Sequence, residues 1–341
     1  MEFFIRIKSF IPVIKLTHII YKSTHISEFH HKAILLPSSI NRLPFIKDHN
    51  IILLGFSLLS FFGIKDEEDS EAKMIDTIKR GLLFLQKEDY EAFEQTLHNA
   101  LAIANNIKSY DGLTYVYDVL ANGALMKTDF ANAEKLFVLV MQRLMSRGAH
   151  ENDLNMLHIS LKLSKIYEAQ HDFKKCEIGY EHCMKHLEEL NTKDPNNEDI
   201  LGLLSITFDS YARFLLSQGN TKKAYKYFKK SYKTCVKLNG ETFEMNVILL
   251  NDLGTLSYAL GNVKKAFKFF NKAVKIGQHL PDMESFSSVH INLGNIYLKQ
   301  GLLNEAEKSC IEGMKNAKRH HYAEGIKEAT ICLQDVKKLM K

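Results

Sequence analysis

The residues best equipped for chemistry in this 341-residue chain are its five cysteines and fifteen histidines. Cys176 and Cys183 stand seven apart, so on a helix both thiols share one face. Such a pair could ligate a metal, but buried thiols more commonly pack as small apolar groups. No CxxC occurs, and five is an odd count, so neither a zinc ribbon nor a disulfide scaffold is expected. His30–His31 and His320–His321 are adjacent pairs. Neighbouring residues on a helix point in different directions, so neither pair makes a chelate. HExxH, a Gly-rich phosphate loop, a nucleotide fingerprint and a Ser-His-Asp order are all absent. The expectation is a non-enzymatic protein with no cofactor, no metal and no small-molecule substrate.

Side chains suited to holding a polypeptide are better represented. Polar residues three or four apart recur at Asp118 and Asn122, Lys162 and Lys165, Asp209 and Arg213, Asn251 and Thr255, and Asn292 and Asn295. An Asn amide donates to and accepts from a peptide backbone at once. Lys and Arg hold carboxylates. Lysines also crowd two stretches, Lys222, Lys223, Lys226, Lys229, Lys230 and Lys233, then Lys264, Lys265, Lys268 and Lys272. These read either as a solvated surface or as a contact for anionic lipid or an acidic partner.

A repeat sets these positions. In INLGNIYLKQGLLNEAEKSC a small residue, Gly294, is followed by Ala306 at twelve and Cys310 at sixteen. The same offsets link Gly254 to Ala266 and Phe270, Ala212 to Ala224 and Phe228, and Ser164 to Cys176 and Tyr180. Ala121 likewise leads to Ala133 and Phe137, and Gly81 to Phe93 and Leu97. The small residues are spaced 40, 43, 48, 42 and 40 apart. The pattern predicts paired helices joined by tight turns at Glu88–Asp89, Thr128–Asp129, His171–Asp172, Gly219–Asn220, Gly261–Asn262 and Gly301–Leu302. Small residues let the two helices approach, and aromatics fill the space between neighbouring pairs. Only stacking buries such a face. This is the pattern of an all-α tetratricopeptide-repeat superhelix, with about six helix pairs and a capping helix near the C-terminus. The shortest such unit is about 34 residues. Longer inter-repeat loops, notably around Pro195 and Pro281, are expected to supply the excess. The polar steps above then fall on the first helix of each pair, the face expected to line a peptide-binding groove. The lysines fall on second helices.

Charge and composition separate the N-terminal region from the rest. Residues 1–64 carry seven basic and three acidic residues, and the remainder carries 38 and 37. That balance excludes the bulk basic field of a nucleic-acid-binding protein. Residues 1–50 are poor in acids, with Arg6, Lys8, Lys15 and Lys22 among apolar residues, as in a mitochondrial transit leader. Residues 51–64 form an uncharged run, IILLGFSLLSFFGI. At fourteen residues it falls short of the roughly 20 needed to span a bilayer, so membrane association without a full span is expected. Residues 65–72 read as an acidic linker opening the first helix, where acids suit the positive end of the dipole. The array is expected over 73–341.

Several segments carry a family resemblance: LHNALAIA at 97–104, YVYDVLANGALMKTDFANAEKLF at 115–137, ISLKLSKIYEAQHDF at 159–173 and the acidic IKDEEDSE at 64–71. From about residue 51 onward the chain resembles the tetratricopeptide repeat protein 19 family. That resemblance implies a mitochondrial protein of the inner membrane that preserves respiratory complex III. There it would help clear fragments of the Rieske iron–sulfur subunit, so complex III subunits including the Rieske protein are the implied partners. The family has no catalytic motif to carry over. A cytoplasmic adaptor like the kinesin light chain, with units of similar length, is the alternative.

Overall fold

The structure is a computed structural model that describes residues 68–341. The expected leader, the apolar run and the start of the acidic linker lie outside the described residues. Thirteen helices follow: α1 (Glu68–Gln86), α2 (Tyr90–Asn106), α3 (Tyr110–Met126), α4 (Phe130–Ser146), α5 (Leu154–Ala169), α6 (Phe173–Lys193) and α7 (Glu198–Ser217). Then come α8 (Thr221–Asn239), α9 (Glu244–Ala259), α10 (Val263–Gly277), α11 (Phe286–Lys299), α12 (Leu303–Arg319) and α13 (Ala323–Leu339). They make six pairs and a final helix, with no strand among the described residues. The fold is an all-α tetratricopeptide-repeat superhelix.

The turns inside the pairs share one geometry, and the sequence dictates it. In the first, Glu88 takes a left-handed φ of 60° and the Asp89 amide donates to the Phe84 carbonyl. That bond closes α1 as a Schellman motif. Asp89 then caps α2 by accepting from the Ala92 amide at 3.1 Å, so one residue ends a helix and starts the next. Asp129, Asp172, Asn220 and Asn262 repeat the cap. The left-handed position is Thr128 or His171 in the earlier turns and Gly219, Gly261 or Gly301 in the later ones.

The chain divides into two compact units, residues 68–203 and 204–341, with the boundary inside α7. In the first unit Phe93, Leu97, Ala133, Phe137, Cys176 and Tyr180 are all buried to 1% exposure or less, and these are the predicted offsets of twelve and sixteen. In the second unit Ala224, Phe228, Ala266, Phe270, Ala306 and Cys310 are each at 0%. The small position faces the residue sixteen later. A Cβ added at Gly254 would lie 2.7–2.9 Å from three ring atoms of Phe270, and one at Gly294 would meet the Cys310 sulfur.

Two expectations need correction. The length beyond 34 residues lies mostly in the helices: α6 has 21 residues and α7 has 20, joined through only 194–197. The longer connection is 278–285, around Pro281. In addition, Cys310 on α12 and Cys332 on α13 are disulfide-bonded, with Cα atoms 6.1 Å apart, which ties the last helix to the sixth pair. Cys176, Cys183 and Cys235 are buried thiols. Burial pushes Cys183 and Cys235 up to about 12, so neither is a nucleophile near neutral pH.

Candidate functional site

The ten polar positions predicted from the register do lie on the first helices, but not as open steps. Lys162, Lys165, Asp209 and Asn251 are buried, and the other six are half-buried. A first helix packs against its own partner and against the neighbouring pairs. A polar group there must therefore find a hydrogen bond or remain solvated at its tip.

In residues 68–203 the arrangement is cationic. Lys162 on α5 points its ammonium at Asp118 on α3, at 4.0 Å, and lies 5.1 Å from the centre of the Phe137 ring. Burial lowers the Lys162 pKa, and Asp118 opposes that shift. Asn122 donates to the Asp118 carbonyl at 2.6 Å and to its carboxylate at 3.1 Å, so its amide is used within its own helix. His158 precedes Lys162 by one turn. Burial first, and then Lys162 and Lys165, hold its imidazole well below the ordinary histidine value. His158 did not stand out in the sequence analysis. Its spacing, four residues before Lys162 and seven before Lys165, was the available signal.

In residues 204–341 the corresponding first-helix positions are neutralised by one another. Arg213 holds Asp209 through two bonds of 3.0 Å and reaches Asp252 on the next first helix at 2.9 Å. Its guanidinium also lies 5.2 Å from the Phe228 ring centre. Burial pushes Asp252 up to about 6, with Asp209 adding to the rise and Arg213 countering it. Asp252 was hidden in the sequence because it is the neighbour of the register residue Asn251. Asn292 on α11 donates to the Asn251 side chain at 3.0 Å. The side chains of Thr255 and Asn295 make no hydrogen bond among the described residues. Both are half-buried.

No cluster of metal-ligating side chains occurs among the described residues. α7 is long and apolar enough to cross a bilayer, yet most of it is buried within the protein.

Comparison with known proteins agrees with this geometry. The tetratricopeptide repeat pattern matches residues 287–319, which hold α11 and α12. The apo form of RapI superposes with a TM-score of 0.65 at 14% identity, covering 84% of this chain and 79% of that one. BtubC from P. vanneervenii gives 0.55 at 20% identity, covering 69% and 92%. At such identities the likeness is one of fold. The human protein named tetratricopeptide repeat protein 19, mitochondrial, is 29% identical over 261 residues, 74% of this chain and 68% of its own. The Drosophila melanogaster homologue of the same name is 34% identical over 284 residues, 83% of this chain and 77% of its own. With that identity over that span, the chain belongs to the tetratricopeptide repeat protein 19 family.

Proposed function

We propose that this protein is a mitochondrial scaffold that holds a segment of a respiratory complex III subunit along its first-helix face, at the inner membrane, in support of Rieske-fragment clearance. The observation that carries the binding mode is the recurrence of polar side chains at one step of five successive first helices, with open ends at Thr255 and Asn295. An extended peptide or a helix would take hydrogen bonds there, and stacked apolar residues beneath would keep the face rigid. Support for the compartment comes from kinship, since the relatives are named mitochondrial, which favours this reading over a cytoplasmic adaptor; the complex rests on the family resemblance alone.

The test is a crosslinking pull-down from mitochondria, with the full chain compared to a Thr255→Ala, Asn295→Ala double variant. Neither residue supports the core, so the variant should melt like wild type. Wild type should recover complex III subunits, the Rieske protein among them. Two lost hydrogen bonds at roughly 0.5–1.5 kcal/mol each should lower recovery about five- to tenfold or more. Recovery without complex III subunits refutes the partner, and equal recovery by the variant refutes the face.

A further inference from the structure

Charge on the second helices is distributed very unevenly. α2 carries two Glu and no Lys or Arg, and α6 carries four lysines against four Glu. α8 carries seven lysines and α10 five, and neither contains an Asp, a Glu or an Arg. The two helices are neighbours in one unit: the Tyr225 and Phe269 rings stand 6.5 Å apart, and Lys272 reaches over Tyr232. Their lysines repeat in register. Lys222, Lys226, Lys229 and Lys233 form a stripe along the exposed side of α8, and Lys264, Lys268 and Lys275 recur 42 residues after the first, second and last of these on α10. Lys272 is satisfied by Glu241 at 2.8 Å. The stripe lysines are exposed, and none has a carboxylate within ion-pair distance among the described residues.

We propose that the exposed side of α8 and α10 rests on an anionic phospholipid bilayer. Packing does not require this charge, because the buried sides of both helices are made by Ala224, Phe228, Ala266 and Phe270. Unneutralised like charges side by side are destabilising unless something anionic covers them. The residue type points to lipid. Arginine suits fixed, bidentate recognition of a carboxylate or a phosphate, whereas lysine is a point charge on a flexible stem. A surface of lysines alone fits headgroups that move laterally. Single-stranded nucleic acid would want exposed aromatic rings for stacking, and Tyr225 and Phe269 are half-buried against each other. The uncharged run at 51–64 gives the same chain a second lipid-compatible segment. This contact leaves the first-helix face free, so it stands whether or not that face takes a peptide.

Each lysine near an anionic membrane strengthens binding about fivefold. The experiment is vesicle co-sedimentation of the full chain with neutral phosphatidylcholine and with phosphatidylcholine containing an anionic phospholipid. Wild type is compared with a Lys226, Lys229, Lys233, Lys264, Lys268→Gln variant and with a Lys308, Lys315, Lys318→Gln control on α12. Any binding through 51–64 is common to all three proteins, so their differences report the lysines. Support is wild-type binding that needs the anionic lipid, weakens with added salt and drops at least tenfold in the five-lysine variant, with the α12 control close to wild type. Equal binding by wild type and the five-lysine variant overturns the proposal. So does lysine-dependent binding to an acidic polypeptide such as polyglutamate with none to the vesicles.

Discussion

α9 and α10 are joined by a single turn and nearly equal in length, yet they treat polar residues in opposite ways. α9 buries ten of its sixteen residues, including Asn246, Asn251 and Ser257. α10 buries five of fifteen, all small or apolar, and turns four of its five lysines fully outward. The cause is position in the stack. A first helix is flanked by its own partner and by both neighbouring pairs, while a second helix has one side with no neighbour. On a first helix, then, binding and stability are largely entangled, because polar groups such as Arg213, Asn251 and Asn292 also satisfy one another or a buried neighbour, and only Thr255 and Asn295 stand apart. On a second helix the two are separable.

The sharpest way to break that comparison is Arg213→Ala against Lys229→Ala. Removing Arg213 leaves Asp209, at 4% exposure, and Asp252 beside each other without their common cation. Breaking a buried pair from one side costs about 3–5 kcal/mol. The exposed lysine should change stability by less than about 0.5 kcal/mol. Chemical denaturation of both variants decides the matter. If they unfold alike, Arg213 is a solvated binding residue after all.

Gly254→Leu tests the entanglement through packing. Its Cβ would strike ring atoms of Phe270, which is fully buried and cannot swing aside. An overpacked core costs about 2–3 kcal/mol at such a site. Gly81→Ala probes the corresponding position in α1, where the added Cβ meets the flexible end of Leu97. It should lower the melting temperature less, and the opposite order would mean that the aromatic, not the glycine, yields.

Much of this was legible in the sequence because it depends on local chemistry. A left-handed residue followed by Asp or Asn marks five of the six turns inside pairs, since one backbone geometry serves both to end and to begin a helix, and Gly301–Leu302 keeps the geometry without the cap. The small residue and its partner sixteen later mark each helix contact, since the close approach needs both. Less visible were relations that depend on how far a helix continues and what meets it from the next pair. Nothing local said that α6 and α7 run to 21 and 20 residues. Cys310 occupies the position that Phe270 fills one pair earlier, which announced burial but not its bond to Cys332. Arg213 with Asp209 is a plain four-residue helix pair, but Asp252 reaches them only through stacking. The polar steps could be seen, and their mutual pairing could not.

The last prediction concerns pH and isolates one member of that cluster. Asp252 has a folded pKa of about 6 against an ordinary value of 3.8, raised chiefly by burial. Below the ordinary value the carboxyl is protonated in folded and unfolded chains alike, and its ionisation plays no part. Between roughly 4 and 6 the folded protein keeps the proton while the unfolded chain releases it. Rising pH therefore removes stability through this window, and the loss is complete once the folded group ionises. Asp252→Asn carries no such charge and retains an acceptor for Arg213. The variant should thus gain on wild type by about 3 kcal/mol at most as pH rises from about 4 to above 6, the Arg213 attraction being already contained in the folded value. The same comparison for Lys229→Gln, on an exposed side of a second helix, is the control and should stay flat. Denaturation midpoints at a series of pH values would show it. A variant whose margin over wild type stays constant, or shrinks with rising pH, would place Asp252 in water rather than between two stacked first helices.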